Sequence, residues 1–170
     1  MAQALRPLKV IAGNAHPALA AQLARELGEP VASAEIGSFA DGEVRIRLSD
    51  DVRGADVVCI QPTCPPVNEY LMVLALLVDA ARGAGAVRVI AVVPYFGYAR
   101  QDRRERPGDP RSAQVAGRLL GAVGVDHLIT LDLHSPALEC ALPMPATLLG
   151  AEDAFLPRIV SWRLSKKSYR

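Results

Sequence analysis

The chain alternates short apolar runs rich in β-branched residues with longer segments in which apolar residues recur at helical spacing. The short runs predict five strands of a parallel sheet, at residues 8–12, 31–36, 57–60, 87–93 and 127–131. The longer segments predict helices at residues 18–27, 67–82 and 113–123. This repetition of strand and helix is typical of an α/β fold, with a mostly parallel sheet flanked by helices.

Residues that favour helix ends border each predicted helix. Pro17 suits the first turn of the first helix, and Gly28 follows that helix where a left-handed residue is common. Gly83 and Gly124 follow the second and third helices in the same way, and Ser112 is the predicted N-cap of the third.

One segment departs from this rhythm. Residues 43–48 alternate polar and apolar side chains, and Asp41-Gly42 before them is suited to a tight turn, so we expect a β hairpin or edge-strand excursion near residues 37–48. We interpret residues 1–150 as one domain. Residues 151–170 have weak periodicity, Pro157 and a basic end, which leaves open a link to a further domain or foreign sequence.

Composition narrows the classes of function. With 170 residues and 51% hydrophobic content, the chain can bury one sizeable core. A formal net charge of +1 provides no overall field for nucleic acid or a membrane, so any phosphate recognition must be local. The most apolar run, residues 67–81, contains three polar residues and suits a buried helix rather than a membrane span. Three cysteines without a C-x-x-C pair predict a reducing, cytoplasmic location.

Candidate chemistry follows the predicted strands. Ligands of open parallel sheets bind beyond the carboxyl ends of the strands, so we expect residues 13–17, 94–103 and 132–134 to converge at one edge. Residues 95–103 combine three aromatic rings and a glycine with the run Arg-Gln-Asp-Arg, whose guanidinium groups suit phosphate oxygens. The alternative is an arginine-rich surface loop that is solvated or pairs with a neighbouring subunit.

Asp132 and His134 flank one residue, so in an extended strand both side chains point to the same face and could share a divalent cation. Magnesium prefers oxygen ligands and retains water, so His134 could bind it directly or through water, or could merely cap a strand. The common phosphate loops G-x-x-x-x-G-K-[ST] and G-x-G-x-x-G are missing from the sequence. These residues therefore predict a phosphate-handling α/β domain without naming a reaction.

Several segments together resemble the N-terminal domain of ribose-phosphate diphosphokinases. The resemblance extends from residue 9 to about residue 139 and is carried by residues 13–15 (GNA), 39–43 (FADGE), 52–54 (VRG), 61–68 (QPTCPPVN), 94–103 (PYFGYARQDR) and 132–134 (DLH). It implies transfer of the diphosphoryl group of Mg-ATP to the C1 hydroxyl of ribose 5-phosphate, giving phosphoribosyl pyrophosphate and AMP. By the same resemblance Arg100, Gln101 and Asp102 would contact ATP, and His134 with Asp132 would help hold magnesium.

The resemblance also implies that Phe39, Asp41 and Glu43 reach the adenine site of an adjacent subunit, and hence that the protein is a homo-oligomer. Members of the family have a second half that carries the ribose 5-phosphate loop and a loop with catalytic lysine and arginine, and neither has a counterpart here. Pro143 and Thr147 stand where relatives place aspartates. A regulatory or associated subunit of the family, or a plain nucleotide-binding module, is therefore the alternative interpretation.

Overall fold

The computed structural model describes residues 6–133 and 142–165. In these residues the helices are α1 (Pro17–Glu26), α2 (Val67–Gly83), α3 (Ser112–Ala122) and α4 (Ala151–Ser165). The strands are β1 (Leu8–Ala12), β2 (Val31–Ala32), β3 (Ala34–Ser38), β4 (Val44–Leu48), β5 (Asp56–Ile60), β6 (Arg88–Val93), β7 (His127–Leu131) and β8 (Ala146–Leu149). Within the described ranges no helix is long and apolar enough to cross a membrane.

Six of the strands form one parallel sheet in the order β2-β1-β5-β6-β7-β8. The chain moves outward from β1 to β2 and then returns to the other side of β1, so the order reverses between β1 and β5. All carboxyl ends lie along one edge of the sheet, which confirms the predicted fold class and brings the segments after β6 and β7 side by side.

Apolar side chains fill both faces of this sheet. One face packs against α2 and α3, with Leu74, Leu77 and Leu120 fully buried among the strand residues. The other face packs against Ala20 and Ala24 of α1. Each of the buried leucines stabilises the fold by about 1.5–3 kcal/mol through removal of its side chain from water.

Cys59 of β5 belongs to this core, and burial raises the pKa of its thiol to about 12. The thiol therefore stays neutral and packs as a small apolar group.

The predicted hairpin is present as β3 and β4, which pair antiparallel with Ile36 opposite Ile46 and pack these side chains against the core. The single strand predicted at residues 31–36 is wrong, because the chain leaves the main sheet at Ser33. The Ser33 N–H donates to Asp50 Oδ2 at 3.0 Å, and the Ser33 carbonyl accepts from the Ser49 N–H at 2.9 Å. These bonds end β2 and start β3 in a separate sheet.

Two predicted helix ends also need correction. Arg111, not Ser112, is the N-cap of α3, since the Ser112 hydroxyl instead contacts Gln101 Oε1. Gly83 is the last residue of α2, and the left-handed residue beyond it is Gly85 with φ +92°. Strand β8 and helix α4, which includes Pro157, were not predicted.

Arg82, in the last turn of α2, ties this helix to the two strands that follow it. Its Nε and Nη2 lie 2.9 and 2.7 Å from the Gly124 carbonyl oxygen, and its Nη1 lies 2.9 Å from that of Val87. It also pairs with Asp126, which accepts from the Val89 N–H at 2.7 Å. One side chain thus satisfies backbone acceptors in the connections that lead into β6 and β7.

Replacement of Arg82 by methionine is expected to lower the free energy of unfolding by about 2 kcal/mol, because carbonyl groups are left without donors. Urea denaturation followed by circular dichroism measures this change. Arg25→Met is the matched control, since Arg25 lies in the last turn of α1 and is exposed, so its loss should cost less than about 0.5 kcal/mol. Equal losses of unfolding free energy in both variants would show that Arg82 stabilises the fold only through its charge at a helix end.

Candidate functional site

A cleft of about 360 Å³ lies where β6 and β7 end. The segments after these two strands form its walls, as the sheet topology predicted. Its lining residues are Pro94, Tyr95, Phe96, Ala99, Arg100, Leu131, Asp132 and Leu133. The cleft therefore combines an aromatic and apolar surface with one guanidinium group and one carboxylate.

Asp132 is held in an uncommon backbone conformation, with φ +40°. Its N–H donates to the Leu149 carbonyl at 3.0 Å, and its Oδ1 accepts from the Ala151 N–H at 3.0 Å. Strand β8 and the start of α4 thus fix both the backbone and the carboxylate. Non-glycine residues in this region cost conformational energy, and such residues cluster at functional sites. His134, the predicted partner of Asp132, lies outside the described residues.

The arginine-rich loop is divided between two places. Arg100 lines the cleft, whereas Asp102 lines a separate cavity of about 370 Å³ with Arg103, Arg104, Arg111 and Gln114. The Gln101 carbonyl accepts from the Ala113 N–H at 3.1 Å, and its side chain contacts Ser112, so Gln101 is bound to the start of α3. Of the three predicted ATP contacts, only Arg100 lines the cleft itself.

Among the described residues, no salt bridge neutralises the arginines of this loop. The salt bridges of the described residues are Arg6–Asp56 and Arg82–Asp126, and neither includes an arginine of residues 100–111. Arg100 is exposed at the cleft. Its guanidinium group is therefore available to an anionic ligand.

Phe39, Asp41 and Glu43 lie at the tip of the hairpin. Asp41 Oδ1 accepts from the Glu43 N–H at 3.1 Å, and Gly42, with φ +92°, allows its N–H to reach the Phe39 carbonyl at 3.0 Å. Phe39 is 53% exposed although it is aromatic. None of the three residues lines the cleft of its own chain.

The segment after β1 does not line the cleft either. Instead it packs on Gln61, which directly follows β5 and is fully buried. Gln61 Oε1 accepts from the Ala15 N–H at 3.1 Å, and Nε2 donates to Asn14 Oδ1 at 3.4 Å. His16 caps α1, because its Nδ1 accepts from the Leu19 N–H at 3.1 Å. No role was predicted for Gln61, although a polar residue directly after an apolar strand, at the point where the strand order reverses, often marks a binding edge.

The donor set of the cleft is compatible with magnesium bound together with a nucleotide. Such an ion keeps several waters and takes one or two protein carboxylates plus phosphate oxygens, so a single aspartate beside an anion site is sufficient. Asp132 provides that carboxylate. In the described part of the chain no three His, Cys, Asp or Glu side chains cluster closely enough to hold a metal ion by themselves.

Comparison with known proteins identifies a family. Residues 8–124 match the model of the N-terminal domain of ribose phosphate pyrophosphokinase. The ribose-phosphate pyrophosphokinase of Helicobacter pylori is 45% identical over 151 residues, which are 89% of this chain and 48% of that protein. That of Caldanaerobacter subterraneus subsp. tengcongensis is 43% identical, covering 88% of this chain and 48% of its own length. The chain thus spans about half the length of the curated relatives it matches.

A solved structure agrees with these sequence matches. The crystal structure of phosphoribosylpyrophosphate synthetase from Mycobacterium smegmatis superposes with a TM-score of 0.87 at 34% identity, covering 91% of this chain and 52% of that one. Fold, topology and sequence therefore point to the same relatives. The chain belongs to the ribose-phosphate pyrophosphokinase family, whose N-terminal domain it contains.

Proposed function

We propose that this chain is the ATP-binding half of a ribose-phosphate pyrophosphokinase. Mg-ATP occupies the cleft beyond β6 and β7, and its diphosphoryl group is passed to the C1 hydroxyl of ribose 5-phosphate, with release of AMP. The observation that carries the proposal is that Arg100 and Asp132 line one cleft at the carboxyl edge of the sheet. The names of the relatives agree with this reaction.

Arg100 binds and orients the phosphate chain in this proposal. A guanidinium group presents two parallel N–H donors to phosphate oxygens, and charge-assisted bonds of this kind are about twice as strong as neutral ones. Tyr95 and Phe96 provide the apolar part of the wall. Diphosphoryl transfer requires positioning and charge neutralisation more than covalent participation by the protein, so these groups suit the reaction.

Asp132 would hold magnesium, with His134 as the second predicted ligand. When bound, the ion neutralises phosphate charge during the transfer. The hydrogen bond from the Ala151 N–H keeps one carboxylate oxygen of Asp132 in place, so the carboxylate keeps its orientation before nucleotide arrives. The Asp132 carboxylate is therefore preorganised to bind the ion.

The remaining assignments depend on chain segments that meet outside this cleft. Gln101 and Asp102 are proposed to contact ATP from the loop that carries Arg100. Phe39, Asp41 and Glu43 are proposed to reach the nucleotide of a second copy, because the hairpin tip exposes an aromatic ring and two carboxylates away from its own cleft. The protein would then be a homo-oligomer of the cytoplasm.

Titration calorimetry with Mg-ATP tests the proposal. Arg100→Ala is expected to weaken binding by about 30-fold or more, since it removes a charge-assisted contact worth roughly 2 kcal/mol or more. The matched control is Arg88→Ala. Arg88 is exposed at the opposite end of the same strand, β6, and should not affect affinity.

Two results would contradict the proposal. A wild-type chain that binds no nucleotide would exclude an ATP site in this chain. A wild-type chain that binds Mg-ATP with the same affinity as Arg100→Ala would place the nucleotide outside the cleft.

A further inference from the structure

Thr63 joins the segment after β5 to the loop after β6. It is 1% exposed, and its hydroxyl donates to the Tyr95 carbonyl at 2.9 Å while accepting from the Gly97 N–H at 2.7 Å. The Thr63 N–H donates to the same Tyr95 carbonyl at 2.9 Å. One buried residue thus satisfies both the carbonyl before Phe96 and the N–H after it.

Close packing reinforces these hydrogen bonds. A Cβ atom on Gly97 would lie 2.8 Å from the Thr63 carbonyl oxygen and 2.6 Å from Val67 Cγ1, so only glycine allows the loop to approach this closely. Such a contact leaves Tyr95, Phe96 and Gly97 little freedom to shift. Their position is decided by the segment after β5, not by β6 alone.

A second hydrogen bond, from Tyr98, holds the same loop. Tyr98 has φ +66°, and its hydroxyl hydrogen-bonds Asn68 Oδ1 near the start of α2. The chain then turns directly into Ala99 and Arg100, which line the cleft. The hydrogen bonds of Thr63 and of Tyr98 together determine the position of the loop, and therefore that of the Arg100 side chain.

We propose that Thr63 is a positioning residue for nucleotide binding, acting through Tyr95 and Gly97 to place the loop that carries Arg100; this rests on the proposed function. Thr63 does not line the cleft. Its role lies in the hydroxyl, because only that group both donates and accepts across the loop.

The test compares Mg-ATP dissociation constants by titration calorimetry, well below the unfolding temperature of each variant. Thr63→Val keeps shape but removes the hydroxyl and should weaken binding by about tenfold. Thr63→Ser restores the hydroxyl and should stay within about threefold of wild type. Thr130→Val is the control: Thr130 is equally buried, but its hydroxyl has no hydrogen-bond partner among the described residues, so affinity should not change.

Amide hydrogen exchange gives an independent readout in the wild-type chain. The Gly97 amide should be protected, whereas fast exchange there would overturn the inference. Equal affinities for wild type and Thr63→Val, or no recovery in Thr63→Ser, would overturn it and leave the proposed function standing. Absence of nucleotide binding by the wild-type chain would overturn both.

Discussion

The purified chain is expected to form AMP from Mg-ATP and ribose 5-phosphate at least about a thousandfold more slowly than a full-length relative. In the proposed function the cleft holds a nucleotide, but transfer between two substrates requires both to be held. Positioning of this kind contributes roughly 7–11 kcal/mol to barrier lowering. Because the chain spans about half the length of its relatives, we expect much of that contribution to be missing.

The Helicobacter pylori enzyme is a suitable reference, assayed under identical conditions with magnesium. Arg100→Ala separates turnover by this chain from turnover by contaminating host enzyme, since only the former depends on Arg100. A rate within about tenfold of the reference that Arg100→Ala abolishes would show a self-sufficient enzyme, contrary to this expectation.

Gly13→Ala is expected to destabilise the fold by about 3 kcal/mol, because overpacking a filled interior forces side chains and backbone apart. A Cβ at Gly13 would lie 1.8 Å from Oε1 and 2.5 Å from Cδ of Gln61. Gln61 is fully buried and its Oε1 accepts from the Ala15 N–H, so moving this side chain away from Gly13 costs a buried hydrogen bond. The unfolding midpoint should fall by roughly 6–12 °C, as measured by calorimetry.

Gly83→Ala is the matched control for this prediction. A Cβ at Gly83 meets no atom within 4 Å, and the residue is helical, so alanine should be neutral or stabilising. In the double variant Gly13→Ala with Gln61→Ala, the destabilisation should be less than the sum of the single effects, since the clash is removed. A Gly13→Ala protein as stable as Gly83→Ala would show that Gln61 relocates without cost.

Local periodicity predicted most of the fold. The strands at residues 8–12 and 127–131 have the predicted bounds, and the glycines at 28 and 124 have the left-handed φ expected after a helix. These features depend on neighbouring residues, so pattern is sufficient to identify them.

The wrong structural predictions lie where contacts with residues distant in the sequence determine the local structure. Residues 31–36 were predicted as one strand, yet Asp50, seventeen positions away from Ser33, accepts its N–H where the chain turns into the hairpin. Ser112 has the composition of a cap, but Gln101 binds its hydroxyl. Strand β8 was not predicted because it is only four residues long and is recognised by its pairing with β7, not by its composition.

Predictions about the site were likewise right where topology was sufficient and incomplete where tertiary contacts determine the arrangement. Topology alone predicted that the segments after β6 and β7 would meet, and the cleft lined by Arg100 and Asp132 confirms that convergence. The same reasoning placed residues 13–17 at this edge, where they follow β1 without lining the cleft. It also gave no reason to separate Arg100 from Asp102, which lines a different cavity.

By itself the sequence determined the fold class, the order of most elements up to β7 and the short list of charged residues near the carboxyl edge, because periodicity and motif order are properties of neighbouring positions. The tertiary structure alone decided which of those residues share a cleft. It also gave Gln61 and Thr63 their partners, since a hydrogen bond between buried groups 30 or more positions apart depends on how the strands pack.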